Sequence, residues 1–232
     1  MKNNLTISLI LISCLFYSKS NGQVDDTKTG GWYMYFWNTN IKQSSFGFQG
    51  DVQYRNWNVI GDLEQLLLRG GFTYVPQKTD VKFTLGYAFI LSGTFGDSKD
   101  KTPESRIYQE ALLPQKVGQR VYITHRFRFE QRFIENQNFR TRLRYNLFIN
   151  LPLNKTDLKK GAVYLSFYNE IFINNQRDIG DGKTVEIFDR NRTYGAIGYS
   201  ISDKLKIQLG YMHQASNNLG KGQIQLSVHQ KM

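Results

Sequence analysis

The chain has 232 residues, 30 Lys and Arg against 19 Asp and Glu, a formal charge of +11 and 14% aromatic residues. Its mean hydropathy of -0.47 excludes a helical membrane protein but not a β-barrel, whose polar lumen and loops dilute the lipid-facing half of each strand. Cys14 is the sole cysteine, which excludes an internal disulfide.

Residues 1–22 begin with basic Lys2, run through an apolar stretch at 5–17 and end in the small and polar 18–22. That run is too short to span a bilayer and has the proportions of a secretory signal, so residues 1–22 read as a signal peptide cleaved before Gln23. Leu11-Ile12-Ser13-Cys14 also resembles a bacterial lipobox. Because the apolar run continues through Leu15, Phe16 and Tyr17, the uncut signal is preferred over lipidation at Cys14. Loss of Lys2 and Lys19 with the signal lowers the charge from +11 to +9. A polar leader follows at 23–30, and 31–232 is expected to form one domain.

Trp32-Tyr33-Met34-Tyr35-Phe36-Trp37 is aromatic on both parities, which suits the interfacial girdle of a membrane barrel. In the next segment Phe46, Phe48, Val52 and Tyr54 alternate with Gly47, Gln49, Asp51, Gln53 and Arg55, a clean amphipathic strand. Residues 57–62 read as a connection. At 63–75, Leu66, Leu68, Phe72 and Tyr74 oppose Gln65, Arg69 and Thr73, with Gly70-Gly71 marking a bend or bulge. A turn at 76–80 leads to Val81, Phe83, Leu85, Tyr87 and Phe89, alternating with Lys82, Thr84, Gly86 and Ala88. After a polar loop at 92–103, a strand at 104–113 carries Glu104, Arg106, Tyr108 and Glu110 on one parity, and 114–118 turns the chain.

The stretch 121–151 carries the strongest signal. Ile123, Phe127, Phe129 and Phe133 share one parity, while Tyr122, Thr124, Arg126, Arg128, Glu130 and Arg132 share the other. After a polar break at 135–138, Leu143, Tyr145, Leu147, Ile149 and Leu151 oppose Arg140, Arg142, Arg144, Asn146 and Asn150. A helix would scatter these arginines around its circumference, because helical neighbours are spaced by three and four. Two paired strands are predicted. Beyond a connection at 152–161, Val163, Leu165, Phe167, Ile171 and Ile173 alternate with Tyr164, Ser166, Tyr168 and Glu170, before a long polar loop at 174–186. A strand at 188–201 carries Arg190, Arg192 and Tyr194 on the polar parity. Ser202-Asp203 is a hairpin turn, and two further strands, at Leu205 to Gln214 and from Gln223 to the C-terminus, complete the chain.

Most segments span roughly ten residues, enough to cross a bilayer at the usual barrel tilt. The expected fold is therefore all-β: a single closed, antiparallel, up-and-down transmembrane β-barrel with a polar and charged interior. The segmentation yields about eleven strands, but an exported bacterial barrel is expected to have an even number. Ten or twelve are predicted, with the boundary error placed near Trp32 to Asp62. If the last strand ends in the periplasm, loops 174–186 and 92–103 lie outside, and the turns at 202–203 and 76–80 lie inside.

Leu68-Arg69-Gly70-Gly71-Phe72-Thr73-Tyr74, the Glu104, Arg106 and Gln109 grouping, His125-Arg126-Phe127-Arg128-Phe129-Glu130-Gln131-Arg132 and Arg142-Leu143-Arg144-Tyr145 together resemble an uncharacterised family of bacterial outer-membrane β-barrels, common in Bacteroidota and classed as a domain of unknown function. The resemblance covers the mature chain and implies a fold and a location, the bacterial outer membrane. It implies no activity and no catalytic residues.

With the charged parity inward, Glu64, Arg69, Glu104, Arg106, Glu110, Arg126, Arg128, Glu130, Arg132, Arg140, Arg142, Arg144, Glu170, Arg190 and Arg192 would fill the lumen. Desolvated charges must pair, so a structural salt-bridge core is the first reading, and a constricted, porin-like pore favouring anions is the second. A lipid hydrolase of phospholipase or lipid A deacylase type would need a catalytic His on the lipid face. His125 is the candidate, with Thr124 and Ser216 as hydroxyl neighbours. A soluble periplasmic ligand-binding barrel would instead make the apolar parity its core. No metal cluster, phosphate loop or dinucleotide fingerprint is present, so no cofactor is expected. The arginines interleave with aromatics rather than cluster. Expected partners are therefore outer-membrane lipid, lipopolysaccharide, the barrel-insertion machinery and small anionic solutes, not nucleic acid.

Overall fold

A computed structural model describes residues 29–95, 99–217 and 220–232. The signal peptide expected at 1–22, with Cys14, and residues 23–28 of the leader expected at 23–30 lie outside the described residues. Along the chain come β1 (Gly30–Asn40), β2 (Phe46–Asn56), β3 (Leu63–Tyr74), β4 (Lys82–Gly93), β5 (Lys101–Val117), β6 (Val121–Ile134), β7 (Arg140–Pro152) and β8 (Val163–Asn174). A small hairpin, β9 (Asp178–Gly180) and β10 (Lys183–Thr184), precedes β11 (Phe188–Ser200), β12 (Leu205–Ala215) and β13 (Gly220–Lys231). Every strand except those of the small hairpin belongs to one closed barrel in the order β1-β13-β12-β11-β8-β7-β6-β5-β4-β3-β2, and the described residues form no helix.

The barrel has eleven strands, which corrects the expectation of ten or twelve. It is also mixed, not fully antiparallel: consecutive strands pair antiparallel, but β1 closes on β13 in parallel, from Gly30 against Gln223 to Asn38 against Lys231. The cause is topological. In a meander each strand reverses the direction of the one before it, so an odd number leaves the first and last pointing the same way. The alternation pattern carried the right number; imposing evenness on it introduced the error.

Local chemistry explains the finer differences. The strand predicted to stop at 113 runs on to Val117, because the β5–β6 ladder extends past Leu112, which faces Lys82, the first residue of β4. Pro114 sits in that overhang with one neighbouring strand, so its missing N–H removes no ladder bond on the open side. Gly70 and Gly71 make no bulge, since the β2–β3 register runs unbroken through them. The register shifts lie at Arg55/Asn56 and at Phe188/Arg190.

The two parities separate by environment. Phe127, Leu143, Phe133, Phe72 and Val52 are exposed on the outside, whereas Arg128, Glu130, Arg132, Arg142 and Arg144 are buried inside. The cross-strand register aligns an outward apolar row: Leu165 faces Ile197, then Leu209, Leu226, Tyr33, Tyr54, Leu66 and Leu91 follow strand by strand. The aromatic run in β1 divides across this boundary. Trp32 is 2% exposed within the barrel core with Met34 packed beside it, so the run is not wholly an interfacial girdle.

Up-and-down topology assigns each connection to one of two ends. Connections 57–62, 94–100, 135–139, 175–187 and 216–219 share an end with the start of β1. Connections 41–45, 75–81, 118–120, 153–162 and 201–204 share the other with the C-terminus. The asymmetry of loop length is milder than the sequence suggests, because 153–162 is itself long.

Candidate functional site: the barrel interior

The interior divides into a packed half and a hollow half. The packed half lies toward the start of β1. There β5, β6 and β7 bring alternate charged residues into facing register: Arg106 opposite Arg132, Glu130 opposite Arg142, and Arg132 opposite Arg140. Like charges placed directly opposite would repel, and the arrangement resolves this diagonally through shared carboxylates. Glu104 Oε1 accepts from Arg106 Nε and from Arg132 Nε, each at 2.6 Å. Glu130 Oε2 accepts from Arg142 Nη2 at 2.7 Å, and Glu130 Oε1 from Arg144 Nη1 at 2.6 Å. Glu170 Oε1 accepts from Arg144 Nη2 and Arg126 Nη2, both at 2.6 Å.

Asp189 joins the network although its position in the alternation does not place it there. The register shift between Phe188 and Arg190 disturbs the alternation, as bulges do. Arg142 Nη1 then reaches Asp189 Oδ2 at 2.8 Å. At the centre of this half stands Phe172, 1% exposed. Its ring lies under the guanidiniums of Arg144 at 4.4 Å, Arg192 at 4.7 Å and Arg142 at 5.1 Å. A π-face supplies electron density where another carboxylate would otherwise be required.

Of the charges expected in the lumen, Glu104, Arg106, Glu110, Arg128, Glu130, Arg132, Arg140, Arg142, Arg144, Glu170 and Arg192 are buried. Arg69 is ion-paired with Asp51 at 3.0 Å, and Arg126 with Glu170 at 2.6 Å. Glu64 accepts from Trp32 Nε1 at 3.0 Å. Arg190 is partly exposed and holds Asp189 at 3.1 Å. Asp51, Gln53, Arg55 and Asp189 also belong to the interior set; the first three already stood on the polar parity of their strand.

Toward the other end the interior opens into a cavity of about 430 Å³. Its walls include Trp32, Phe36, Arg55, Arg126, Arg128, Phe148, Tyr164, Arg192, Tyr194, Lys206 and His229, and Leu158 reaches it from connection 153–162. Arg55 hydrogen-bonds to the neutral Gln53 and Gln65 at 2.6 and 2.8 Å. Its guanidinium carbon lies 3.7 Å from the Trp32 ring centroid, with that of Arg192 at 4.8 Å from the same ring.

His125 Nδ1 contacts the Tyr145 hydroxyl at 2.8 Å, and Thr124 lines the interior cavity, the face opposite that of His125. The Ser227 hydroxyl meets His229 Nε2 at 2.9 Å inside the barrel, with the His229 ring stacked 4.8 Å from Phe36. Among the described residues no group of three or more His, Cys, Asp or Glu could hold a metal ion.

A family model described as "Protein of unknown function (DUF2490)" matches residues 29–225. The chain belongs to this family. No curated protein and no solved structure matches it. The span assigned to the DUF2490 family runs from the residue before β1 into β13, so it holds both halves of the interior apart from Ser227 and His229.

Proposed function

We propose that this protein is a bacterial outer-membrane β-barrel whose interior is closed by its Arg/Glu network, a structural barrel with a one-ended vestibule rather than an open anion pore. The observation that carries this is the polarity of the wall: an apolar row across eight neighbouring strands outside and a buried network of largely paired charges inside. Water would penalise such an outside, while lipid favours it, and closure leaves no strand edge to be satisfied by solvent. A soluble ligand-binding barrel needs the apolar parity as its core, which is the reverse of this arrangement. In the proposed setting residues 1–22 direct export, insertion machinery and membrane lipid are the partners, and the C-terminal strand ends in the periplasm. The packed half then faces outward and the cavity faces the periplasm.

Cell fractionation tests the reading. The protein is expected in the outer-membrane pellet, extractable only with detergent, with gel mobility that changes on boiling. Recovery in the detergent-free periplasmic fraction would overturn it.

A further inference from the structure

We infer that the vestibule is a binding site for a small organic anion, one carboxylate on a flat apolar body. The inference rests on the closed interior geometry and not on the membrane in which the barrel sits.

The first observation is a charge excess. Of the charged side chains lining the cavity, seven are Arg or Lys and three are Asp or Glu. Elsewhere in the interior every buried arginine but Arg140 shares a carboxylate; here two do not. Among the described residues no carboxylate lies within 4.0 Å of Arg55 or Arg192, although both are buried. Both lie over a single indole, that of Trp32, whose Nε1 donates to Glu64 at 3.0 Å, so two buried cations have one nearby carboxylate between them and a second anion would lower their repulsion.

The second observation is independent of net charge. The Tyr194 hydroxyl, Arg128 Nη1 and Arg126 Nε belong to residues of this cavity wall and make no hydrogen bond, although Arg128 Nη1 stands 3.9 Å from Glu130 and Arg126 Nε 3.9 Å from Glu110. Each arginine is anchored through its other nitrogens, Arg128 on Glu110 at 2.8 Å and Arg126 on Glu170 at 2.6 Å. The side chains are thus held in place while a donor is left over. Buried donors without acceptors are rare because each carries its desolvation cost uncompensated. A carboxylate seated beside these side chains would supply the missing acceptor once they turn toward it, and planar two-oxygen recognition is the geometry a guanidinium favours.

The third observation sets the rest of the ligand. A cavity of about 430 Å³ is far larger than an inorganic oxyanion and falls among ordinary small-molecule sites. Trp32, Phe36, Phe148 and Tyr164 stand on its wall, so a flat apolar body finds stacking surfaces while its carboxylate meets the arginines.

The test is calorimetric titration of the full-length protein in a non-ionic detergent with 2-naphthoate, neutral 2-naphthamide and inorganic phosphate. Naphthoate is expected to bind saturably at one per chain, at least tenfold tighter than either comparison, and to weaken as salt is raised. The Arg55→Gln, Arg192→Gln double variant, if it retains heat-modifiable mobility, should lose at least tenfold in naphthoate affinity. Tyr194→Phe, which keeps the ring, offers a milder variant that should weaken binding severalfold. Absence of saturable naphthoate binding, naphthamide or phosphate binding as tightly, or unchanged affinity in a folded variant would each overturn the proposal. Failure of the fractionation experiment would leave these outcomes intact, since the titration never uses the membrane.

Discussion

Arg144 Nη1 donates to Glu130 Oε1 at 2.6 Å, from a position two pairs removed in the β6–β7 ladder. The same carboxylate takes Arg142 at 2.7 Å, with Arg106 at 3.6 Å and Arg128 at 3.9 Å. Four cations therefore depend on one buried anion. Glu130→Gln keeps the shape and removes the charge, and is expected to destabilise the barrel by about 3 to 5 kcal/mol, as removal of one partner from a buried pair does. Asp157→Asn, which touches the exposed Lys159–Asp157 pair, should change stability by less than about 1 kcal/mol. Urea midpoints of heat-modifiable mobility compare the two. Equal midpoints would contradict the central position given to Glu130.

The packed half should block ions. In planar bilayers the wild-type protein is expected to show no steady conductance. Replacing Glu104, Arg106 and Arg132 together by Ala removes three side chains of the network at once, and a small conductance should then appear. That conductance should favour anions, because Arg55 and Arg192 remain. A wild-type protein that conducts as freely as the variant would show that the charges line a pore instead of closing one.

Leu209 is 58% exposed on the outer face of β12 and stands between Ile197 and Leu226. If that row meets hydrocarbon, Leu209→Arg should cost about 2 to 4 kcal/mol, the range for a cation at the midplane of a barrel's lipid face. Refolding into lipid vesicles at graded urea reads this directly. A change within error would place Leu209 in water.

Gly86 lies opposite Tyr108 in the β4–β5 ladder, and a side chain at Gly86 would overlap the Tyr108 ring. Tyr108 is itself buried under the Arg128 guanidinium at 4.4 Å. Gly86→Leu is therefore expected to cost about 1 to 3 kcal/mol through overpacking. Adding Tyr108→Ala should return part of that loss, since it vacates the space the new side chain takes. Non-recovery in the double variant would mean that the glycine serves the backbone instead.

The wall of this barrel was legible in its sequence, and the arrangement of its interior was not. Period two along Phe46 to Arg55 separates exposed Phe46, Phe48, Val52 and Tyr54 from buried Asp51, Gln53 and Arg55, because pleating alone decides which way a strand residue points. Asp189 escaped that reading since a register shift intervenes, and a bulge leaves no mark in the alternation of residue types. Phe172 reads as an apolar residue on a polar parity until the guanidiniums above it are seen. The division into a packed half and a hollow half depends on which residues of distant strands share a height. Trp32, Arg55 and Arg192 come from β1, β2 and β11, and the stagger that brings them together is a property of the closed barrel.

The parallel pairing of β1 with β13 also says how the molecule must come together. Each antiparallel ladder of the barrel joins strands consecutive in the meander, but this one joins the two ends of the chain, from Gly30 with Gln223 onward. Its loop-closure entropy is the largest of the set, so the seam is expected to form last. Until it does, two rows of amide and carbonyl groups stand open, and hydrocarbon offers them no partner. In the proposed membrane setting assembly is thus poised on a single joint: the sheet can grow strand by strand, yet it would become a membrane-compatible object only when its first strand meets its last.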